Sequence, residues 1–144
     1  MPIQQGLTNS FKQDMLQAGQ NIITDTLYMA LYTAFSDIGQ ATTVYTTDNE
    51  ITGTGYTAGG VQVTGATLST QTTGPNAGTV YVDFDDVSWP GANFTARGAL
   101  IYNVTQGNKS VAVLDFGSDK TFTAANNTVT MPANTATTAL IRLP

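Results

Sequence analysis

In the run TDTLYMALYTAF, Leu27, Met29 and Leu31 fall on one side of an extended chain, and Tyr28, Ala30 and Tyr32 fall on the other. Both sets are apolar or aromatic. A period of two with no polar side predicts a strand covered on both faces, central in a sheet or at an interface; a helix is the rival reading of this segment. Later runs are shorter and bounded by turn residues. TTVYTT leads into DNEITG, and VQVTGATLST follows a glycine-rich stretch. TVYVDFDDVSW sets Val80, Val82 and Phe84 inward against Tyr81, Asp83 and Asp85. NFTARGALIYNV and SVAVLDFG flank the turn TQGNK, TGPNAG is a further turn, TFTAANNTVTM reads as a hairpin around Asn126-Asn127, and TTALIRLP closes the chain. About eight strands with turns at intervals of roughly 8–12 residues predict an all-β fold, an antiparallel β-sandwich or jelly roll.

The start of the chain has a different period. Phe11, Met15 and Leu16 share a face at helical spacing, Asn9 or Ser10 can cap it, and Gly19 is a stop. Residues 1–20 therefore read as an N-terminal arm with a short helix, and 21–144 as a single β-sandwich domain. No linker and no internal repeat divides the rest.

Composition narrows the function. The chain has 144 residues, a net charge of -5 and only five basic residues, Lys12, Arg97, Lys109, Lys120 and Arg142, which form no run. Nucleic acid is not an expected partner, because neutralising phosphates needs clustered Lys and Arg. Polarity comes mostly from Thr, Asn, Gln and Ser, which suits broad neutral contact with proteins or sugars. His and Cys are both absent, which excludes a disulfide, a thiol nucleophile, a Cys-His metal site and a Ser-His-Asp triad. The N-terminus lacks the basic start and apolar core of a signal peptide, and no run approaches a membrane span of roughly 20 apolar residues. The expectation is synthesis in a cytoplasm and no membrane partner. Four Asn-x-Ser/Thr sequons, beginning at Asn93, Asn103, Asn108 and Asn126, are what chance gives in so Thr- and Asn-rich a chain.

Four stretches invite a chemical reading. GTGYTAGG, from Gly53 to Gly60, is rich enough in glycine to cradle a phosphate. It lacks the Gly-Lys-Ser/Thr of a P-loop, and a strand pattern follows it where a helix N-terminus is needed. The better reading is a loop with positive-φ positions in which Tyr56 packs down as an anchor. Asp83, Asp85 and Asp86 do not by themselves supply the six to eight oxygens that calcium takes, so they read as a solvated acidic strand edge and no cofactor or metal is expected. Glu50 is the only glutamate, and nothing marks a second carboxyl for glycoside hydrolysis, so no enzyme is expected. Trp89, the only tryptophan, sits beside Pro90 and Gly91, where it can lock a turn onto the core or a neighbouring subunit, or stack a sugar ring; core or subunit is favoured.

SFKQDMLQAG, LYMALYT, NEITGTGYTAGGVQV, DFDDVSWPGANFTARGALIYN and NKSVAVLDFG, in that order, resemble a family of virion structural proteins of tailed bacteriophages. The resemblance covers nearly the whole chain, and its most specific part is GTGYTAGG combined with TARGALIYN and VLDFG. It implies a capsid decoration, or cement, protein: a jelly-roll-like domain, often a homotrimer, seated on the outer shell, with the major capsid protein and sister copies as partners. A tail, baseplate or fibre component binding a host-surface glycan is the alternative. Relatives often carry His after the first helix where this chain reads Gln20-Asn21-Ile22, so a role tied to that imidazole is not expected here. The resemblance brings no catalytic residues. Phe11, Met15, Tyr56 and Trp89 are the expected subunit or capsid contacts, Phe11 and Met15 as anchors of an arm that orders on binding.

Overall fold

The computed structural model describes residues 2–144. In chain order its elements are β1 (Gly6–Leu7), α1 (Asn9–Leu16), β2 (Leu27–Tyr32), β3 (Val61–Val63), β4 (Thr67–Thr70), β5 (Val80–Asp83), β6 (Val87–Ser88), β7 (Phe94–Asn103), β8 (Lys109–Phe122), β9 (Thr128–Val129) and β10 (Ile141–Leu143). Every pairing between strands is antiparallel. A five-stranded sheet, β1-β8-β7-β2-β3, faces a three-stranded sheet, β10-β5-β4, and a two-stranded one, β6-β9. The fold is an all-β sandwich with one short helix, as the alternation predicts.

β2 lies between β7 and β3, and both of its faces are covered. Leu27, Met29 and Leu31 enter the main core with Ile101, Val111, Phe122, Val82 and Ile141. On the opposite face, Ala30 and Tyr32 join Leu100, Tyr102 and Val113 beneath Ile3 and Ile38. The loops before β1 and after β2 therefore do for the outer face what the small sheets do for the inner one.

Several expectations need correction. Residues 2–20 are not an arm. Gly6 and Leu7 pair with Val113 and Ala112 of β8, and Phe11 is buried in the main core. Thr8, one residue earlier than expected, caps α1: it leaves β1 in extended conformation, so its hydroxyl accepts the Phe11 N–H at 3.3 Å. The buried face of the helix carries Phe11 and Asp14, while Leu16 is 92% exposed. Asp14 is covered because Gln20 Nε2 donates to it at 3.0 Å, Asn103 Nδ2 donates to Gln20 Oε1 at 3.0 Å, and the Lys109 ammonium lies 3.6 Å away. This network ties the helix to β7 and β8.

VQVTGATLST is two strands. Gly65 lies between them with φ 73°, and the chain crosses there from the five-stranded sheet to the three-stranded one. TTVYTT makes only an isolated bridge, Val44 to Lys109. Asn126 does close a tight turn with Thr123, but the strand that follows, β9, pairs with β6 and makes no hairpin with β8.

Candidate interaction surface and the glycine-rich loop

The glycine-rich loop is fastened by Glu50. Ile51 is buried and its N–H donates to Leu31 O at 3.0 Å, which brings the glutamate alongside the end of β2. Its Oε1 accepts from the Tyr56 hydroxyl at 2.6 Å and from the Gly59 N–H at 2.7 Å. Its Oε2 accepts from the Tyr45 hydroxyl at 2.6 Å. Tyr56 in turn accepts the Leu31 N–H at 2.9 Å, and the Tyr102 hydroxyl donates to Gly59 O at 2.6 Å. Tyr45 stacks on Tyr102 with ring centroids 4.6 Å apart. Burial, with the Glu50 carboxylate beside them, pushes the Tyr45 and Tyr56 hydroxyls well above the usual tyrosine range, and Tyr102 to about 12. The carboxylate holds neutral phenols and one backbone amide.

The glycines allow this loop to lie flat on the sheet. A Cβ on Gly60, which has φ 84°, would run into the Met29 carbonyl of β2; one on Gly55 would come within 2.6 Å of Gly91 O. Tyr56 is thus the anchor expected from the sequence, and its edge meets Phe94 at 5.6 Å. The glycine content reflects backbone packed against backbone.

Phe11 and Trp89, expected as contacts, are each only 1% exposed and belong to the main core. Trp89 meets Phe122 edge-on at 5.7 Å, and Phe122 stacks on Phe94 at 4.9 Å. The indole has no face open for a sugar, and its Nε1 has no hydrogen-bond partner among the described residues. Asp83, expected at the surface, is buried and its carboxyl is pushed up by that burial. Its Oδ1 accepts the Phe84 N–H at 2.9 Å, whereas Oδ2 has no partner among the described residues. Asp86 instead accepts the Met131 N–H at 2.7 Å, and Asp85 is exposed. Among the described residues, no three acidic side chains are grouped to hold a metal ion.

Met15 is the one expected contact that reaches the surface as an apolar side chain, and it opens onto a groove of about 420 Å³. Two cross-strand rows build one wall. Leu68, Val82 and Ile141 stand side by side, and next to them Thr70, Val80 and Leu143. Val82 and Ile141 reach into the main core, but Leu68 and Leu143 overhang it and stay 58% and 57% exposed. The segment between α1 and β2 supplies the other wall with Ile22 and Ile23. No lining residue is charged. The small sheet thus carries its apolar face past the edge of the large one, leaving a patch with hydrophobic rims and no internal partner. Leu68 escapes sequence reading because it is a lone apolar residue in a polar setting, ordinary on surfaces. Ile23 adjoins the buried Ile22 and Leu143 lies two residues from the buried Ile141, and the pattern does not show which of each pair stays exposed. No family model, curated protein or solved structure matches the chain.

Proposed function

We propose that the chain is a non-enzymatic virion structural protein of a tailed bacteriophage: a capsid decoration, or cement, protein. It is made in the host bacterial cytoplasm and ends on the capsid surface, bound to the major capsid protein and to copies of itself. The observation that carries the contact role is the uncharged groove rimmed by Met15, Ile23, Leu68 and Leu143. Apolar surface of this kind on an otherwise polar sandwich is stabilised when another protein removes it from water, at roughly 25 cal/mol per Å². Weak contacts of this size, repeated by the symmetry of a shell, sum to strong attachment. The phage assignment itself rests on the ordered motifs from SFKQDMLQAG to NKSVAVLDFG.

The test is co-sedimentation of the purified chain with mature capsids stripped of minor proteins, and separately with isolated tails. Saturable binding to shells, lost in Leu68→Asp while the melting temperature is unchanged, is the expected result. Binding to tails alone would move the protein to the tail, baseplate or fibre, and no binding to either would remove the virion reading.

A further inference from the structure

Phe35 is 84% exposed, yet its surroundings are fixed. It follows β2 in a loop that starts from buried Tyr32 and returns to buried Ile38. The Thr33 N–H donates to Asn49 O at 2.9 Å, the Ser36 N–H to Thr33 O at 3.1 Å, and the Asn49 side-chain amide to Phe35 O at 3.4 Å. An exposed ring held out on a fastened loop is a knob. Asp37 lies two residues beyond it, and Asp48 precedes the Asn49 that holds it; both are exposed.

The same chain carries a socket of matching chemistry. A cleft of about 610 Å³ runs between the second half of β8 and the segment leading to β10. Leu114, Phe116, Met131 and Leu140 give it an apolar floor, and Lys120 and Arg142 line it together with Asp115, whose carboxylate faces Arg97 at 3.9 Å. The molecule is poor in cations, and two of the others are already engaged: Arg97 with Asp115 at 3.9 Å and Asp119 at 3.5 Å, and Lys109 with Asp14 at 3.6 Å. Among the described residues, Lys120 and Arg142 form no ion pair, although Lys120 donates to Thr128 O at 2.8 Å. An aromatic flanked by carboxylates complements an apolar floor flanked by an ammonium and a guanidinium. In a chain of net charge -5, this is where an acidic loop of an identical chain is attracted instead of repelled.

Knob and socket lie at the same end of the large sheet. Tyr32, at the base of the knob, pairs with Gly98, and Gly98 pairs with Asp115 at the socket. They are separate patches, so one copy's knob and another's socket make a heterologous, head-to-tail contact, which closes into a ring when the rotation allows it. We infer that Phe35 of one copy seats in the Leu114–Phe116–Met131–Leu140 cleft of the next, with Asp37 and Asp48 against Lys120 and Arg142. The inference stands on surface chemistry alone and does not depend on the shell as partner.

Sedimentation velocity over a concentration series, at low and high salt, tests it. The wild-type chain is expected to associate, and salt to weaken the association. Phe35→Asp removes the knob and Arg142→Glu reverses part of the socket; each is expected to raise the dissociation constant about tenfold or more. A mixture of the two variants is expected to recover a heterodimer, because one still has its socket and the other its knob. If Arg142→Glu folds poorly, Lys120→Glu replaces it as the socket variant in the same mixture. A wild-type chain that stays monomeric throughout, association unmoved by Phe35→Asp, or a variant mixture that recovers nothing would each overturn the inference.

Discussion

Glu50→Ala is the perturbation that most directly asks what the glycine-rich loop is for. Three donors lose their acceptor at once: the Tyr45 and Tyr56 hydroxyls and the Gly59 N–H. A hydrogen bond to a charged group contributes roughly 1.5–3 kcal/mol, which would give about 4.5–9 kcal/mol if all three were lost in full. Tyr45, Tyr56, Gly59 and Glu50 are all half-buried, so water replaces much of what is lost, and least at Tyr56, whose hydroxyl burial pushes up further than that of Tyr45. That leaves about 3 kcal/mol for the alanine variant. Glu50→Gln keeps one acceptor oxygen for Tyr56 and Gly59, and Tyr45 can turn its hydroxyl to accept from the new amide, so about 1 kcal/mol is expected. For a domain of this length these losses correspond to falls in Tm of about 10 °C and 3 °C. Thermal unfolding followed by circular dichroism at neutral pH reads both, and hydrogen exchange at the Gly59 amide reads the local release. A Glu50→Ala protein melting within about a degree of wild type would refute the reasoning, since the carboxylate would then hold nothing that water does not replace.

Trp89→Ala is expected to cost about 3–5 kcal/mol, whereas Trp89→Phe, which deletes an indole N–H that has no partner, is expected to cost less than half as much; chemical denaturation measures both. Gly60→Ala is expected to lose more than about 3 kcal/mol, because its Cβ meets the Met29 carbonyl, while Gly74→Ala, with φ 81° but open space around it, is expected to lose about 1 kcal/mol in the same experiment. Asp83 titrates above the ordinary 3.8 when folded, so its contribution is fully present below that value and is lost as pH rises through the raised folded value. Asp83→Asn is accordingly expected to flatten that fall and to raise Tm at pH 7, and a variant that melts lower than wild type at pH 7 would contradict the burial argument.

The alternation in TDTLYMALYTAF located β2 and both of its covered faces because burial on two sides leaves no position free to be polar. Turn chemistry was equally readable where the backbone demanded it, as in TQGNK, where Gly107 and Asn108 have φ 70° and 63°. The misreadings share a cause. VQVTGATLST looks continuous because nothing in its period registers a change of sheet, and the N-terminal segment looked detachable because β1 is only two residues long. Asp83 looked solvated because period two puts it opposite Val82, and local pattern does not reveal that the chain near Leu140 returns to cover it. Each depends on contacts between residues far apart in sequence.

The surfaces were harder to read than the core for a related reason. Periodicity reports what the fold buries, and an interaction surface consists of apolar residues that the fold leaves unburied. Phe35 continues the spacing of Leu27, Met29 and Leu31, so in an unbroken strand it would point into the main core. The strand ends at Tyr32, Thr33 turns to meet Asn49, and the ring emerges into water. Met15 likewise shares the helical spacing of Phe11, but Asp14 takes the buried face through its bond to Gln20, and the methionine is turned to the groove. In both cases a local hydrogen bond turns a residue with core periodicity outward. Of the exposed large apolar residues, Met15, Ile23, Leu68 and Leu143 meet at the groove beside β4 and β10 and Phe35 stands on the loop after β2, while Leu16, Val44 and Val104 lie apart from both. The grouping of four such residues around one uncharged groove is the physical ground for proposing that a partner covers it, while the conspicuous glycines and the lone tryptophan serve the fold.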